Sequence, residues 1–279
     1  MDVPDIVIPS RARTERVTVP SLRQLKETGE KIVFVTAYDF PSARLADRAG
    51  VDAILVGDSV MLALGYDTTV PVTMEDMLHH TKAARRGVRR ALLVADMPFG
   101  TYQTNSDDAM RGAFRLLKEG GAQAVKIEGG AHMVSTVRRM TESGIPVMGH
   151  LGLTPQSVNV FGGHRVQGRD RTSADQIRED ALALQQAGAF AIVLETIPAE
   201  LAATISRDLS IPTVGIGAGP DCDGQVQVWY DILGIYPGKG YKHVRQYAQA
   251  GELIENALRA YTDEVKQGSF PTEQNSFPS

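Results

Sequence analysis

Apolar runs of strand length recur along this chain and alternate with stretches whose apolar residues have helical spacing. Each run is apolar throughout and does not alternate with polar residues, which is typical of parallel strands covered by helices. Eight such units in a chain of 279 residues predict an α/β fold, a single-domain (β/α)8 TIM barrel, whose usual length is about 250 residues. The runs are Lys31–Asp39, Ala53–Ser59, Ala91–Pro98, Ala124–Gly130, Ile145–Gly152, Ala191–Thr196, Ile211–Gly219 and Gln225–Leu233.

The order of the segments predicts the domain organisation. We expect an N-terminal arm at residues 1–20, a catalytic barrel domain at residues 21–267 and a flexible, disordered tail at residues 268–279. A helix capped by Ser21 is expected to run through Gly29, and the last helix is expected at His243–Val265. The eighth run is weak and follows a short connection, so an open doubly wound sheet is the alternative fold.

Charge and cysteine content exclude several classes of protein. The net charge of −4 comes without a cluster of Lys and Arg interleaved with aromatic residues, which argues against nucleic acid as a partner. A single cysteine, Cys222, excludes an internal disulfide framework and a thiolate metal cage. No apolar run approaches the roughly 20 residues of a membrane helix, and the N-terminus does not resemble a signal peptide. We therefore expect a cytoplasmic protein that does not bind membranes.

Polar residues stand at the carboxyl ends of the second to sixth runs. Lys126 and Glu128 are two apart in the run VKIEGG, so a strand would present both on one face and Ile127 on the other. In a barrel, side chains at strand ends converge at the C-terminal mouth, where barrel enzymes place their sites. The predicted cluster consists of Asp58, Asp96, Lys126, Glu128, His150 and Glu195.

Four neighbouring carboxylates indicate a cation site. They repel one another and would take up protons unless positive charge lay between them. Oxygen ligands without cysteine favour a hard ion such as Mg²⁺, which is held by one or two carboxylates while water and substrate fill the other positions. Taken singly, each acid could instead cap a turn, and His150 could equally be a hydrogen-bonded core histidine. Asp39, at the end of the first run, is assigned to helix capping.

A divalent ion beside a lysine suits a 2-oxo acid, whose carboxylate and keto oxygens can chelate the metal together. Chelation acidifies the adjacent carbon, Lys126 adds positive charge, and Glu195 is the free carboxylate expected to remove the proton. Three alternatives stay open at this point. They are a Schiff-base aldolase with Lys126 as nucleophile, a Mg²⁺-dependent lyase of oxo acids, and a barrel that binds a ligand without catalysis.

Two connections exceed the usual length of a βα loop, at residues 60–72 and 154–172. Both are expected to overhang the mouth of the barrel, and the second combines glycines with polar residues that could fold over a ligand. The glycine-rich run at residues 215–224 is interpreted as close backbone packing or room for a ligand, since a lone glycine pattern is weak evidence for a phosphate loop.

Several short sequence motifs of this chain match those of a known protein family. They are TAYD, LVGDS, YDTTVPVTMEDM, ADMPFG, VKIEGG, GHLGLTPQSVN, FGGHRVQG and IGAGPDCDGQV. Through them the chain closely resembles the ketopantoate hydroxymethyltransferase (3-methyl-2-oxobutanoate hydroxymethyltransferase) family from about Lys31 to Leu233, and LTPQSVN with VKIEGG is a very specific combination. One departure concerns the segment SVMLALGYD after GDS, which is shorter than the family pattern, so the shape of that loop stays open.

The resemblance implies a reaction, its cofactors and an assembly. The C3 carbon of 3-methyl-2-oxobutanoate would be deprotonated, and the enolate would attack the one-carbon unit of 5,10-methylenetetrahydrofolate to give 2-dehydropantoate. The resemblance also implies a (β/α)8 barrel assembled as a large homo-oligomer, a decamer. By the same resemblance, the proton acceptor is Glu195, the Mg²⁺ ligands are Asp58, Asp96 and Glu128, and the substrate-binding residues are Asp58, Ser59, Asp96 and Lys126.

Overall fold

The barrel predicted from the apolar runs is present in the computed structural model, which describes residues 15–236 and 240–277. Eight parallel strands pair in chain order, and the eighth pairs back to the first, which confirms the closed barrel and excludes the open sheet. The strands are β1 Ile32–Thr36, β2 Ala53–Val56, β3 Leu92–Asp96, β4 Ala124–Glu128, β5 Val147–Gly152, β6 Ala191–Glu195, β7 Thr213–Ile216 and β8 Gly224–Gln227.

Helices separate most of the strands, and short one-turn helices follow β2, β5 and β8. The helices are α1 Val19–Thr28, α2 Phe40–Ala49, α3 Met61–Leu64, α4 Met74–Gly87, α5 Ser106–Arg115, α6 Val134–Glu142, α7 Val158–Phe161, α8 Arg171–Gln186, α9 Ala199–Asp208, α10 Trp229–Ile232 and α11 Ala250–Gln267. Among the helices that the structure describes, none combines the length and the apolar character needed to cross a bilayer.

The core of the barrel is apolar. Alternate strand positions send side chains into the interior, as in other closed barrels of eight strands. Helix α1 adds Leu22 and Leu25 to the same cluster, which positions it against the core. With the interior filled by packed side chains, the polar site can lie only where the strands end. The strand residues of this cluster include Phe34, Leu55, Leu92, Val94, Ala124, Met148, Val193, Val214 and Val226.

The described residues form two compact units, which divide between Gln227 and Val228. The first holds all eight strands, and the second holds α10 and α11. The sequence predicted one domain through residue 267, whereas the structure assigns the residues from Val228 onward to their own unit. The predicted arm at residues 1–14 lies outside the described residues.

Several predicted boundaries differ from the structure for local reasons. The eighth run was expected to be a strand as far as Leu233, but β8 ends at Gln227, because the apolar residues that follow form a helix. Short apolar runs do not distinguish these two states. The last helix begins at Ala250 and not at His243, and the predicted tail contains a 3₁₀ turn at Glu273–Asn275.

Capping explains where two helices begin. Ser21 was expected to cap α1, but Thr18 is the cap, and the Thr18 backbone N–H donates to Ser21 Oγ at 3.1 Å. The assignment of Asp39 to capping is confirmed, since its Oδ1 accepts from the Ser42 amide at 2.8 Å at the start of α2. Asp39 therefore stays outside the cluster at the mouth of the barrel.

Candidate active site

The predicted polar residues converge at the carboxyl ends of β2 to β6. Asp58 begins a 3₁₀ turn directly after β2, and Asp96 and Glu195 are the last residues of β3 and β6. Their placement follows from the sequence, since each ends an apolar run that a buried strand requires. Five of the residues expose no more than 5% of their surface: Asp58, Asp96, Lys126, Glu128 and His150.

A continuous series of close polar contacts joins these side chains. Strand register aligns Asp96 with Lys126, and Lys126 Nζ lies 3.1 Å from Asp96 Oδ1. The same Nζ lies 3.2 Å from His150 Nδ1, which is 3.3 Å from Glu128 Oε1 on the neighbouring strand. His150 Nε2 in turn lies 3.2 Å from Glu195 Oε2. His150 is therefore a member of the charged cluster and not an isolated core histidine.

Gln156 organises a second network, and sequence reasoning missed it. It lies in a 3₁₀ turn just after β5, where its Nε2 donates to Asp58 Oδ2 at 2.8 Å and to the Met97 carbonyl at 3.0 Å. Its backbone N–H donates to Glu128 Oε2 at 3.0 Å. A single neutral residue thus supplies donors to two of the four carboxylates.

Tyr102 fixes this amide from the other side. Its hydroxyl donates to Gln156 Oε1 at 2.6 Å and accepts from the Glu128 amide at 3.1 Å. Both side chains are buried, so their hydrogen bonds hold one orientation without competition from water. The motif LTPQSVN is the sequence signal that contains Gln156, but nothing in its spacing shows that the amide reaches Asp58.

The acids of the cluster lack sufficient positive charge. Burial raises the pKa of Asp58 well above its usual range, and the neighbouring carboxylates of Asp96 and Glu128 raise it further. Burial also raises the pKa of Asp96, although Lys126 and the backbone N–H of Asp58 oppose this, the latter by donating to Asp96 Oδ2 at 3.0 Å. Raised pKa values of this kind show that the ionised forms are under-stabilised.

The two basic side chains carry positive charge. Burial alone would lower the pKa of Lys126, but the carboxylates of Asp96, Glu128 and Asp58 outweigh it and raise the pKa, so the lysine stays protonated. Burial and Lys126 lower the pKa of His150, but Glu128 and Glu195 outweigh both and raise it to about 9. Lys126 and His150 therefore supply the positive charge beside the four acidic side chains.

The backbone around Glu195 has an unusual conformation. Thr196, the next residue, has a φ of 50°, which is an outlier for a β-branched residue and marks local strain. The Glu195 carbonyl accepts from the Leu153 amide at 2.8 Å, and a Cβ at Gly152 would lie 2.3 Å from that carbonyl oxygen. Glycine at the end of β5 therefore allows the backbone at the end of β6 to approach closely.

Ser59 lies in the same turn as Asp58 but has a different neighbour. Its hydroxyl is 2.8 Å from the Tyr38 hydroxyl. Ser59 is half-buried, so its backbone and side chain border the cluster and are not enclosed by it. Its predicted contact with an oxo acid stays a prediction.

The donor chemistry fits a divalent cation. Asp96 Oδ1 and Glu128 Oε1 are buried and have no aligned hydrogen bond, although cations lie close by. Across residues 15–236 and 240–277, no three His, Cys, Asp or Glu side chains form a ready metal cage. Mg²⁺ does not require one, since one or two carboxylates with water and substrate suffice. The oxygen donors and the uncompensated negative charge are therefore compatible with this ion.

The chain shares most of its length with enzymes of one family. The family model described as Ketopantoate hydroxymethyltransferase matches residues 16–273. The chain is 57% identical over 267 residues to the 3-methyl-2-oxobutanoate hydroxymethyltransferase of Moorella thermoacetica, covering 95% of this chain and 99% of that protein. It is 56% identical over 264 residues to the same enzyme of Carboxydothermus hydrogenoformans, covering 94% and 96%.

The fold of this chain also resembles that of a solved structure with a much lower sequence identity. The crystal structure of phosphonopyruvate hydrolase in complex with oxalate and Mg²⁺ superposes with a TM-score of 0.60 at 15% identity. The superposition covers 94% of this chain and 92% of that one. At this identity the match shows a shared fold alone.

Proposed function

The chain belongs to the ketopantoate hydroxymethyltransferase family, and we propose how the cluster at the mouth of its barrel carries out the family's reaction. That reaction transfers a hydroxymethyl group to 3-methyl-2-oxobutanoate in pantothenate biosynthesis. The one-carbon donor is 5,10-methylenetetrahydrofolate, water supplies the hydroxyl oxygen, and the products are 2-dehydropantoate and tetrahydrofolate. The observation that carries the proposal is the buried cluster of four carboxylates around a protonated lysine.

Asp58 and Asp96 would hold Mg²⁺, with Glu128 beside it. Bound there, the ion would act as a Lewis acid on the carboxylate and keto oxygens of the oxo acid. The raised pKa values of both aspartates support this assignment, because a cation would relieve the repulsion that raises them. Gln156 orients the ligand set, since it donates to Asp58 and Glu128 together.

Lys126 would stabilise negative charge as it develops on the keto oxygen. Its ammonium group is buried and lies 3.1 Å from Asp96 Oδ1, so it acts in a water-poor environment where a fixed charge has a large effect. The same surroundings argue against the Schiff-base alternative. A nucleophilic lysine must lose its proton, and the neighbouring carboxylates raise the pKa of Lys126.

Glu195 would remove the proton from C3 of the oxo acid. The carboxylate lies 3.2 Å from His150 Nε2 without an aligned hydrogen bond, and His150 Nδ1 lies 3.2 Å from Lys126 Nζ, so the imidazole connects Glu195 to the charged interior. When the C3–H bond breaks, Glu195 takes the proton, and the carbanion electrons pass to the keto oxygen. Water adds to the one-carbon unit, which places a hydroxyl on that carbon and a proton on the first nitrogen as its C–N bond breaks. The enolate then forms a carbon–carbon bond to the same carbon while the second C–N bond breaks, and the departing nitrogen takes the proton held by Glu195, which completes tetrahydrofolate.

Exchange of the C3 proton in deuterated water tests this function without folate. We expect 3-methyl-2-oxobutanoate to exchange its C3 proton in the presence of Mg²⁺ and to stop exchanging in EDTA, because the metal and the base act before the one-carbon unit does. Added Mg²⁺ should restore exchange.

The same assay separates the alternatives. Exchange that persists in EDTA, together with an adduct on Lys126 trapped by borohydride, would support the Schiff-base aldolase and contradict the proposal. Cleavage products formed from the oxo acid without folate would support the lyase.

We further propose a homo-oligomer, a decamer, and an exposed apolar stripe on α11 supports association. Ile254, Leu258, Tyr261 and Val265 recur at helical spacing and are between 45% and 60% exposed. A continuous apolar surface of this kind marks interaction sites in soluble proteins.

Light scattering of Leu258→Glu should therefore show a smaller particle than the parent, since a buried carboxylate disfavours association. Asn256→Glu adds the same charge on another face of α11 and should keep the parental mass. A parental mass for Leu258→Glu, or a monomeric parent, would contradict the proposal.

A further inference from the structure

A cavity adjoins the charged cluster. Its volume is about 280 Å³, and it lies among the segments that follow β3, β4 and β5, together with α8. Glu128 and Gln156 belong both to its wall and to the networks described above, so the cavity opens onto the site of the proposed chemistry. The six lining residues that matter here are Phe99, Glu128, Gly130, Gln156, Phe161 and Asp180.

Two phenylalanines give this cavity flat apolar walls. Phe99 is 46% exposed just after β3, and Phe161 ends α7 and is half-buried. Phenylalanine side chains that line a cavity and remain accessible offer large rigid faces on which a planar heterocycle can stack. The volume lies at the small end of ligand pockets, which suits a bicyclic ring and not a long molecule.

The carboxylate of Asp180 is a polar group of the cavity wall outside the charged cluster. Its Oδ1 accepts from the Ala131 amide and from Gln176 Nε2, each at 3.0 Å, which uses both lone pairs of that oxygen. Its Oδ2 accepts no hydrogen bond from any residue that the structure describes. A Cβ at Gly130 would lie 1.9 Å from Oδ2, so glycine at this position is what allows the carboxylate to stand there.

We propose that this cavity binds the reduced pterin ring of the one-carbon donor, with Asp180 Oδ2 accepting from its pyrimidine edge. A 2-amino-4-oxopyrimidine presents a ring N–H and an amino N–H side by side, and the two free lone pairs of Oδ2 match these two donors. Hydrogen bonds to an ionised acceptor are the strong ones. The ring stacks against Phe99 and Phe161, and its one-carbon unit faces Glu128 and Gln156. This assignment rests on the proposed function, since it names the site of its co-substrate.

Asp180→Asn tests the assignment with little disturbance of the fold. The amide keeps the Oδ1 acceptor for Ala131 and Gln176 and replaces only Oδ2, by a donor that opposes the pterin N–H groups. The KM for 5,10-methylenetetrahydrofolate should rise about 10- to 100-fold, the loss expected for hydrogen bonds to a charged group. The KM for the oxo acid and the folate-independent C3 exchange should stay at the parental values.

A second variant and a control complete the test. Phe161→Ala removes one wall and should raise the KM for the folate without altering C3 exchange, and both variants should weaken tetrahydrofolate binding measured by calorimetry. Asp175→Asn changes an exposed carboxylate of the same helix, whose nearest cation is Arg171 at 3.7 Å, and should match the parent.

Parental folate KM values in both test variants would overturn the assignment of the cavity. Loss of C3 exchange in both Asp180→Asn and Phe161→Ala would also overturn it, because Asp180 and Phe161 would then act on the oxo acid. Absence of Mg²⁺-dependent exchange in the parent would instead contradict the proposed function itself, so the two failures are distinguishable.

Discussion

Glu195→Gln is expected to lower turnover by about 10²- to 10⁴-fold, the usual contribution of a general base. The glutamine keeps the size of the side chain and a polar atom beside His150 Nε2, but an amide cannot take the C3 proton. Glu195 is also the accessible carboxylate of the cluster. Its side chain is 18% exposed, compared with 3% for Asp96 and 4% for Glu128, so a substrate can reach it.

Three measurements separate a lost base from a damaged site. Exchange of the C3 proton in deuterated water should fall with turnover, whereas the thermal stabilisation by Mg²⁺ should stay, because Glu195 is not a proposed metal ligand. Glu200→Gln, an exposed glutamate of α9, should behave like the parent in all three. Parental exchange in Glu195→Gln would mean that another group removes the proton.

The fold was predictable from the sequence because burial on both faces leaves a simple pattern. Seven of the eight apolar runs contain a strand that ends where polar residues or glycines begin. The prediction for the second half of the eighth run was wrong, since Trp229–Ile232 forms a helix and not a continuation of β8. A short apolar stretch packs equally well in either conformation, and its neighbours in the fold decide which one forms.

The charged members of the site were predictable for a related reason. A carboxylate at the end of a buried strand is costly unless a partner or an ion compensates it, so its presence indicates a site. Gln156 escaped this reasoning because a neutral amide in a loop carries no such cost in the sequence. Its importance depends on three hydrogen bonds that only the folded chain brings together.

The electrostatics connect the fold with the chemistry. Parallel strands place four acids within one small volume, while burial removes the water that would screen them. Lys126 and His150 compensate part of the charge, and Gln156 adds neutral donors without adding charge. The remaining excess of negative charge is what a bound cation would stabilise. Because of this arrangement, the metal-free cluster should destabilise the barrel that carries it.

Asp58→Asn is therefore expected to stabilise the metal-free protein and to abolish its activity. The pKa of Asp58 is raised above the ordinary 3.8, so the folded state holds the proton more tightly than the unfolded state does. Stability then falls as the pH rises from about 4 through the raised pKa, and the full penalty is present above that raised pKa. The amide carries no such charge, so the gain over the parent should vanish as the pH falls towards 4.

Thermal unfolding with and without Mg²⁺ measures both effects. In EDTA at pH 7 the variant should melt above the parent, by about 2–4 °C for each kcal/mol of relieved repulsion. Mg²⁺ should stabilise the parent but not the variant, with an apparent loss of metal affinity beyond the roughly 10- to 100-fold typical of residues outside the ligand shell.

Asp47→Asn is the matched control and should lower the melting temperature, because that buried aspartate accepts from three backbone amides, those of Arg89, Arg90 and Ala91. A parental response to Mg²⁺ in Asp58→Asn would show that the ion binds elsewhere, and a lower melting temperature in EDTA would show that the carboxylates are already compensated by their neighbours.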